Sequence, residues 1–459
     1  MKNREIINKG LYFEALRRIR LPALIVTIIL SLEAILVPIA MGVSDYVDRM
    51  NALEYGYYYN PVAQSYSAAE LHIMLFLVII VAPIFAAGMF SFLNKRNASD
   101  FYHSLPHRRS TFCISSIAAL VTWIFGITVV TSGLSKLFAS FFPNVISVEP
   151  GSYLEYMLGC FAAAMLIAAC VTLAMTITGN TLSNIIVTMM LLFFPRYVIL
   201  FVVYAVAAKL PFIPMGYMHP LLSVGINIPA GLVLGSFTYY GDSSACLFDT
   251  TSQIYTLVLA LIYFAAAVVL YCRRKSESAE HSAPSRMMQA VYRTVVAMAV
   301  SVPVCYVLYS NGVSNGYELF IYFVLYLIVA LTYLLYELIT TKRWKNLVRV
   351  LPGLVVVAIL SLGLFGAMYS IETVEKSFSP DADEIEYFQL MSSAGPDAWV
   401  YDFKDYAIRE TSYIKVKDEE AIKVVAEALE RTIENGGSGG YYSHGYYDDA
   451  IGSMSYVEY

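Results

Sequence analysis

Runs of about 20 apolar residues recur along this 459-residue chain, and they limit what it can fold into more than any other feature. Nine runs occupy about residues 21–42, 71–93, 111–135, 153–178, 183–207, 253–272, 291–310, 317–339 and 350–370. A helix of about 20 residues crosses the roughly 30 Å hydrocarbon core of a membrane. Only 14% of the residues are charged, whereas soluble domains average about 25%. The sequence therefore predicts an all-α polytopic membrane bundle with about nine transmembrane helices, and it excludes collagen-like, coiled-coil and disordered classes.

Lysine and arginine are concentrated in alternate connections between these runs, which predicts the orientation of the chain. The basic clusters are Lys2–Arg20, Lys95–Arg109, Arg273–Arg286 and Lys342–Arg349. Cytoplasmic loops carry the excess of positive charge, so the N-terminus is predicted to be cytoplasmic. The tail 371–459, with 19 acidic and 7 basic side chains, is then predicted to lie outside.

One further segment, Pro220–Phe237, is moderately apolar and is interrupted by glycine and proline. A tenth span there would move the later basic clusters to the outside, which the charge rule disfavours. We therefore predict that 211–240 is a re-entrant outer segment, because broken helices are tolerated where protein surrounds them.

The N-terminal segment 1–20 has the pattern of an amphipathic helix that enters the first span. One face of its helical wheel is apolar, with Leu11, Tyr12, Ala15, Leu16 and Ile19. The opposite face is charged, with Glu14, Arg17, Arg18 and Arg20. This pattern is typical of a helix at the membrane surface, and it is predicted to stop near Pro22.

The connection 97–110 predicts a short cytoplasmic helix between the second and third spans. Asn97 or Ser99 can cap such a helix, Asp100 suits its first turn, and Pro106 ends it. An apolar patch is expected from Phe101, Tyr102 and Leu105. This helix would suit docking of a soluble partner, and a plain basic loop is the alternative.

The run SDFYHSLPHRRSTF at 99–112 resembles the cytoplasmic loop of ABC-2-type transporter permeases from Gram-positive bacteria. That loop commonly has a DxxxSLPxxR pattern, and the matching positions here are Asp100, Ser104, Leu105, Pro106 and Arg109. The resemblance implies that the loop is a coupling helix that docks on an ATP-hydrolysing subunit. The coupling residues would be Asp100, Phe101, Tyr102, Ser104, Leu105, Pro106, Arg108 and Arg109.

The same resemblance implies a division of the chain and a set of partners. Residues 21–272 would form the six-helix core, 273–370 three additional spans, and 371–459 the extracytoplasmic domain of a subgroup. The chain would be an exporter subunit in the bacterial cytoplasmic membrane, paired with a second permease chain, like or unlike. ATP and Mg would bind to a separate ABC ATPase.

Motifs for chemistry within this chain are missing from the sequence. There is no GxxxxGK[ST] loop, no HExxH and no GxSxG, so the chain itself is not predicted to be an enzyme or to hold a cofactor or metal. No basic, aromatic-interleaved surface suggests nucleic-acid binding.

Two charged residues fall inside predicted spans, Glu33 in the first and Arg196 in the fifth. A charge at the bilayer centre costs about 2.5–3.5 kcal/mol on insertion scales, so such residues usually face a bundle interior or a cavity. We expect Glu33 and Arg196 to pair or to line a substrate path, and a purely structural role is the alternative. Glu337, near Lys342, is expected to be a surface charge.

The tail 371–459 predicts a small acidic α+β domain. Strands are expected at Glu384–Leu390, Ser412–Val416 and Ser453–Tyr459, and a helix at Asp418–Glu434. The apolar stripe of that helix would be Ala421, Val424, Val425, Ala428 and Leu429. The domain reaching Tyr459 is either truncated or a naturally shorter form. A membrane sensor or scaffold, in which this domain binds an envelope ligand or peptide, is the alternative function.

Overall fold

Long helices make up most of the described part of the chain. The computed structural model describes residues 6–55, 80–143, 146, 150–209, 227–234, 245–281, 283–312, 316–342, 344–377, 387–389, 415–434 and 457–458. The helices are α1 (Lys9–Arg18), α2 (Arg20–Tyr55), α3 (Ala82–Phe90), α4 (Arg96–His103), α5 (Arg109–Ala139), α6 (Pro150–Ile177), α7 (Thr181–Lys209), α8 (Ile228–Leu234), α9 (Ala245–Phe248), α10 (Thr250–Arg273), α11 (Arg286–Asn311), α12 (Gly316–Thr341), α13 (Asn346–Val350), α14 (Gly353–Ser377) and α15 (Glu419–Glu434).

Eight helices in these described ranges are long and apolar enough to cross a membrane. They coincide with eight of the nine predicted runs, so the prediction of an all-α multi-pass membrane bundle is confirmed. The remaining run, 71–93, is only partly described. Its described part forms α3 and a following 3₁₀ helix, Ser91–Asn94.

The chain divides into two compact units. The first contains Met1–Tyr197, Gly225–Val295 and Tyr336–Trp344, and the second contains Val198–Val224, Val296–Leu335 and Lys345–Tyr459. The predicted division into a core at 21–272 and an addition at 273–370 stays a prediction.

Helix α6 is the most enclosed span of the first unit. In its apolar window 89% of the residues are buried, against 11–44% in the other candidate spans. Small residues such as Ala163 and Ala168 allow neighbouring helices to approach closely. One close approach is at Gly159, where an added Cβ would lie 2.2 Å from the Leu247 carbonyl oxygen. Any side chain at this position would therefore have to displace backbone.

The predicted re-entrant segment 211–240 is described only at 227–234, where α8 lies. Asn227 caps this helix, since its side-chain oxygen accepts from the Ala230 amide at 2.9 Å. Its side-chain amide donates to the Leu192 carbonyl oxygen at 3.1 Å, and the Ile228 amide donates to Thr256 Oγ1 at 3.1 Å. Hydrogen bonds to neighbouring helices thus satisfy the polar groups at the start of this short helix, as is required within a membrane. The re-entrant course itself stays a prediction.

In the second unit, two serine hydroxyls join two helices within an apolar core. The core residues include Val202, Val206 and Met368. Ser301 Oγ on α11 lies 2.7 Å from Ser361 Oγ on α14, and both side chains are buried. This contact replaces hydration for two polar groups inside an apolar interface.

The described part of the tail contains α15 and three short antiparallel strands, β1 (Tyr387–Gln389), β2 (Lys415–Val416) and β3 (Val457–Glu458), in the order β2-β1-β3. Asp418 caps α15 as predicted, accepting from the Ala421 amide at 3.1 Å. The predicted apolar stripe is partly wrong, because Val424 is 66% exposed, whereas Ile422 and Val425 are buried. Residues 384–386 and 390 of the first predicted strand lie outside the described residues.

Candidate functional site

The short helix predicted in the loop 97–110 is present as α4, with different caps. Its N-cap is Lys95, so Asn97 and Ser99 lie inside the helix and the predicted capping by either is wrong. The first helical amide, that of Arg96, faces the Glu280 carboxylate at 3.4 Å, a contact 184 residues away in sequence. A long-range partner thus replaces the expected local cap.

The C-terminal end of α4 agrees with the prediction that the helix stops before Pro106. Ser104 is the C-cap, and its amide donates to the Asp100 carbonyl oxygen at 3.0 Å. The Ser104 hydroxyl donates to the Phe101 carbonyl oxygen at 2.8 Å. Asp100 lies in the second turn rather than the first, and its side chain is exposed. Pro106 and Arg108 are exposed as well.

Of the three residues in the predicted apolar patch, Phe101 is the one that is exposed. This ring is 61% exposed, whereas Tyr102 and Leu105 are half-buried and pack against the core of the first unit. Leu105 lies beyond the end of α4, so it does not continue the face of Phe101. Phe101 is therefore the exposed apolar feature that this helix presents.

Arg18 of the entry helix holds Tyr102 in place. Its guanidinium donates to the Tyr102 hydroxyl at 2.8 Å and lies 4.8 Å from the centre of that ring. The Tyr102 ring in turn contacts Phe92 at 4.4 Å between centroids. Cation–π and aromatic contacts of this kind each contribute about 0.5–1.5 kcal/mol. These contacts join α1 to α4.

Helix α1 has the predicted faces but packs on protein. Ala15 and Ile19 are buried, and Glu14 and Arg17 are exposed. The helix ends at Arg18, and Pro22 falls in the first turn of α2, where proline is tolerated. The Trp123 indole of α5 donates to the Leu16 carbonyl oxygen at 3.2 Å. The entry helix is thus part of the first unit's packing, beyond a simple anchoring role.

Arg274 joins three separate segments of the first unit. Its guanidinium donates to the carbonyl oxygens at the end of α6, those of Met175, Thr176 and Thr178, and to the Leu93 carbonyl oxygen. Arg109 completes the connection by donating to the Arg274 carbonyl oxygen at 2.8 Å. Burial lowers the pKa of Arg274 to about 10, so the side chain remains protonated at neutral pH.

A backbone hydrogen bond between Glu280 and Gly179 connects the loop after α10 to the end of α6. The Glu280 amide donates to the Gly179 carbonyl oxygen at 2.7 Å. An added Cβ on Gly179 would lie 2.0 Å from the Ser278 carbonyl oxygen, so only glycine fits here without movement of the backbone. We call the set Arg18, Phe92, Arg109, Arg274 and Glu280 the platform. Arg18, Phe92 and Glu280 contact α4 directly, and Arg274 connects the Phe92 segment to Arg109 and to the end of α6.

His103 is the last residue of α4, and its side chain is half-buried. Its ring lies 5.7 Å from that of Tyr271, and neither ring nitrogen has a hydrogen-bond partner among the described residues. Burial, and then the positive charges of Arg109 and Arg274, lower the pKa of His103, and Asp100 opposes the shift. The folded protein therefore favours neutral His103.

This lowered pKa predicts a loss of stability in acid. The unfolded chain takes up a proton near the usual histidine value of about 6.5, before the folded protein does. The contribution of His103 is thus fully present above that pH and is lost as the pH falls from there towards the lowered value. We expect the His103→Gln variant to lose less free energy of unfolding than the wild type between pH 7.5 and 5.5. Equal pH dependence of the free energy of unfolding for His103→Gln and the wild type would contradict the prediction.

The two predicted intramembrane charges occupy different environments. Glu33 is half-buried on α2, and Arg196, which follows Pro195 on α7, is 4% exposed. Their pairing, and a place for either on a substrate path, stay predictions.

The prediction that Glu337 is a surface charge is wrong. Its carboxylate lies 2.6 Å from Arg293 Nη1, and the two side chains are only 5% and 7% exposed. The reason is that α11 and α12 contact each other around Arg293 and Glu337. The closeness of Glu337 to Lys342 in the sequence gives no information about this contact. The available signal was Arg293 itself, a cation inside a predicted span that needs a partner.

The described residues define a multi-pass helical membrane protein in which an aromatic helix is held on the platform. Within the described ranges, no three histidine, cysteine, aspartate or glutamate residues lie close enough to hold a metal ion. Comparisons with models of protein families, with curated proteins and with solved structures find no match for this chain.

Proposed function

We propose that this chain is the membrane-spanning permease subunit of an ABC-type exporter in a bacterial cytoplasmic membrane. It would move a substrate with ATP hydrolysed, with Mg, on a separate ATPase subunit. The observation that carries this proposal is the 61% exposure of Phe101 on a helix whose next residue, Tyr102, is bonded to Arg18 of the platform. The resemblance of 99–112 to ABC-2-type coupling loops supports the same assignment.

A docking helix that transmits force needs an exposed anchor and a rigid support. Aromatic side chains dominate binding energy when a partner buries them in a pocket. The exposed side chains of Lys95, Arg96 and Arg108 flank Phe101 in the sequence and make the loop basic, which favours a partner with an acidic surface. Movement of this partner would be passed to the first unit through the platform.

The alternation of basic connections along the chain supports an orientation in the membrane. The N-terminus and α4 would be cytoplasmic, and 371–459 would form a small extracytoplasmic α+β domain around β1–β3 and α15. A second permease chain would complete the pathway, and Glu33 and Arg196 would face it or each other. No cofactor would bind to this chain.

We expect Phe101→Ala to weaken capture of the ATPase about 30-fold, because loss of an aromatic hot spot costs about 2 kcal/mol or more. The measurement is affinity purification of the tagged full-length chain from its native membrane, with the co-purified ATPase quantified. Phe141→Ala is the matched control. Phe141 is 65% exposed, but it follows the opposite end of α5.

Equal capture by both variants, or absence of any ATPase, would contradict the proposal. Leu105 is left unchanged because its half-buried side chain packs against the core, and its loss would mix docking with stability. Binding of an envelope ligand or peptide by the full-length chain without an associated ATPase would instead favour the membrane sensor or scaffold.

A further inference from the structure

Tyr292, near the start of α11, bonds to the end of the most enclosed helix. Its hydroxyl donates to the Ile177 carbonyl oxygen at 2.9 Å, and its side chain is 4% exposed. Ile177 is the last residue of α6, where carbonyl oxygens have no partner within the helix. The bond therefore satisfies a helix end and attaches α11 to it.

The neighbouring residues of α11 attach the same turns to α12. Arg293 forms the buried ion pair with Glu337, and the Gln289 amide donates to Thr340 Oγ1 at 2.6 Å. Since 289 and 293 are one turn apart, they contact one partner helix while Tyr292 points to another. Helix α11 is thus held between α6 and α12.

The end of α6 also leads to α4. Ile177 is followed directly by Thr178, whose carbonyl oxygen accepts from Arg274, and by Gly179, whose carbonyl oxygen accepts from Glu280. The Glu280 carboxylate in turn faces the first amide of α4. A continuous series of contacts, all within the first unit, therefore runs from α4 to Tyr292.

We propose that Tyr292 and the Arg293–Glu337 pair are positioning residues that couple α4 to α11 and α12. The inference rests on the proposed function, because the ATPase docked at Phe101 supplies the force. In this arrangement, force on α4 passes through Glu280 and the end of α6 to α11. The pair then makes α12 move with α11. The first two additional spans would thereby follow the coupling helix.

Tyr292→Phe tests the link with little change of volume, by amide hydrogen exchange of the full-length chain in lipid nanodiscs. We expect amides in 96–103 and 275–281 to exchange about fivefold faster, the factor equivalent to one hydrogen bond of about 1 kcal/mol. Tyr333→Phe is the matched control. It removes another buried tyrosine hydroxyl that donates to a backbone carbonyl, that of Val350 at 3.1 Å, within the second unit.

Faster exchange limited to the vicinity of residues 177 and 292 would overturn the proposal, because it would show a local structural role only. An equal effect of Tyr333→Phe on 96–103 would overturn it as well.

The double variant Arg293→Met/Glu337→Met tests the ion pair, because it removes both charges and puts apolar side chains in their place. It should leave 96–103 unchanged and raise exchange in 336–341 about fivefold or more, and unchanged exchange there would refute the role of the pair. These measurements need no ATPase, so failure of the partner capture is distinguishable from failure of this link.

Discussion

Arg274→Met is expected to lower the free energy of unfolding by at least about 3 kcal/mol, since several buried carbonyl oxygens lose their donor at once and each unsatisfied group costs about 1–3 kcal/mol. Those oxygens belong to Met175, Thr176, Thr178 and Leu93. Methionine has a similar length but no donor. The measurement is unfolding of the purified chain in mixed micelles by titration with sodium dodecyl sulfate.

Arg273→Met is the matched control for this prediction. Arg273 precedes Arg274 directly and carries the same charge, but its side chain is exposed. We expect its replacement to change the free energy of unfolding by less than about 0.5 kcal/mol, as for most surface substitutions. Equal destabilisation by the two variants would show that charge near the membrane, and not the carbonyl contacts, determines the effect.

These two arginines show what local sequence could predict and what it could not. The span ending at Arg273 was predictable because an apolar run of sufficient length is a local property. The Arg273–Lys275 cluster likewise indicated a loop. Which of its cations would be buried depends on the position of Leu93 and the end of α6, which are 181 and about 100 residues away. No local pattern distinguishes Arg274 from its neighbours.

Helix α4 shows the same limit at the level of single side chains. The loop pattern predicted a short helix that stops before Pro106, and α4 confirms it. The orientation of Tyr102 depends instead on Arg18, 84 residues earlier in the chain. Likewise, the cap at Arg96 comes from Glu280. The position of this helix is therefore encoded locally, whereas the burial of Tyr102 and the cap at Arg96 depend on residues distant in the sequence.

Glu337 was interpreted wrongly for a related physical reason. Its position near the end of a predicted span and close to Lys342 is typical of a solvated charge. Arg293 is 44 residues away, and the two become partners only because α11 and α12 pack together. Burial to 5% then changes the energetics, because a carboxylate removed from water requires a cation and hydrogen bonds in compensation.

Arg293→Met is expected to lower the free energy of unfolding by about 3–5 kcal/mol, because it leaves the Glu337 carboxylate buried without its cation. The double variant Arg293→Met/Glu337→Met removes both charges, and we expect it to recover to within about 1 kcal/mol of the wild type, as replacements of buried pairs by apolar residues often do. Arg286→Met, an exposed position on the same helix, is the control. Unfolding in mixed micelles gives the three values. A double variant as unstable as Arg293→Met would mean that the arginine acts through contacts other than Glu337.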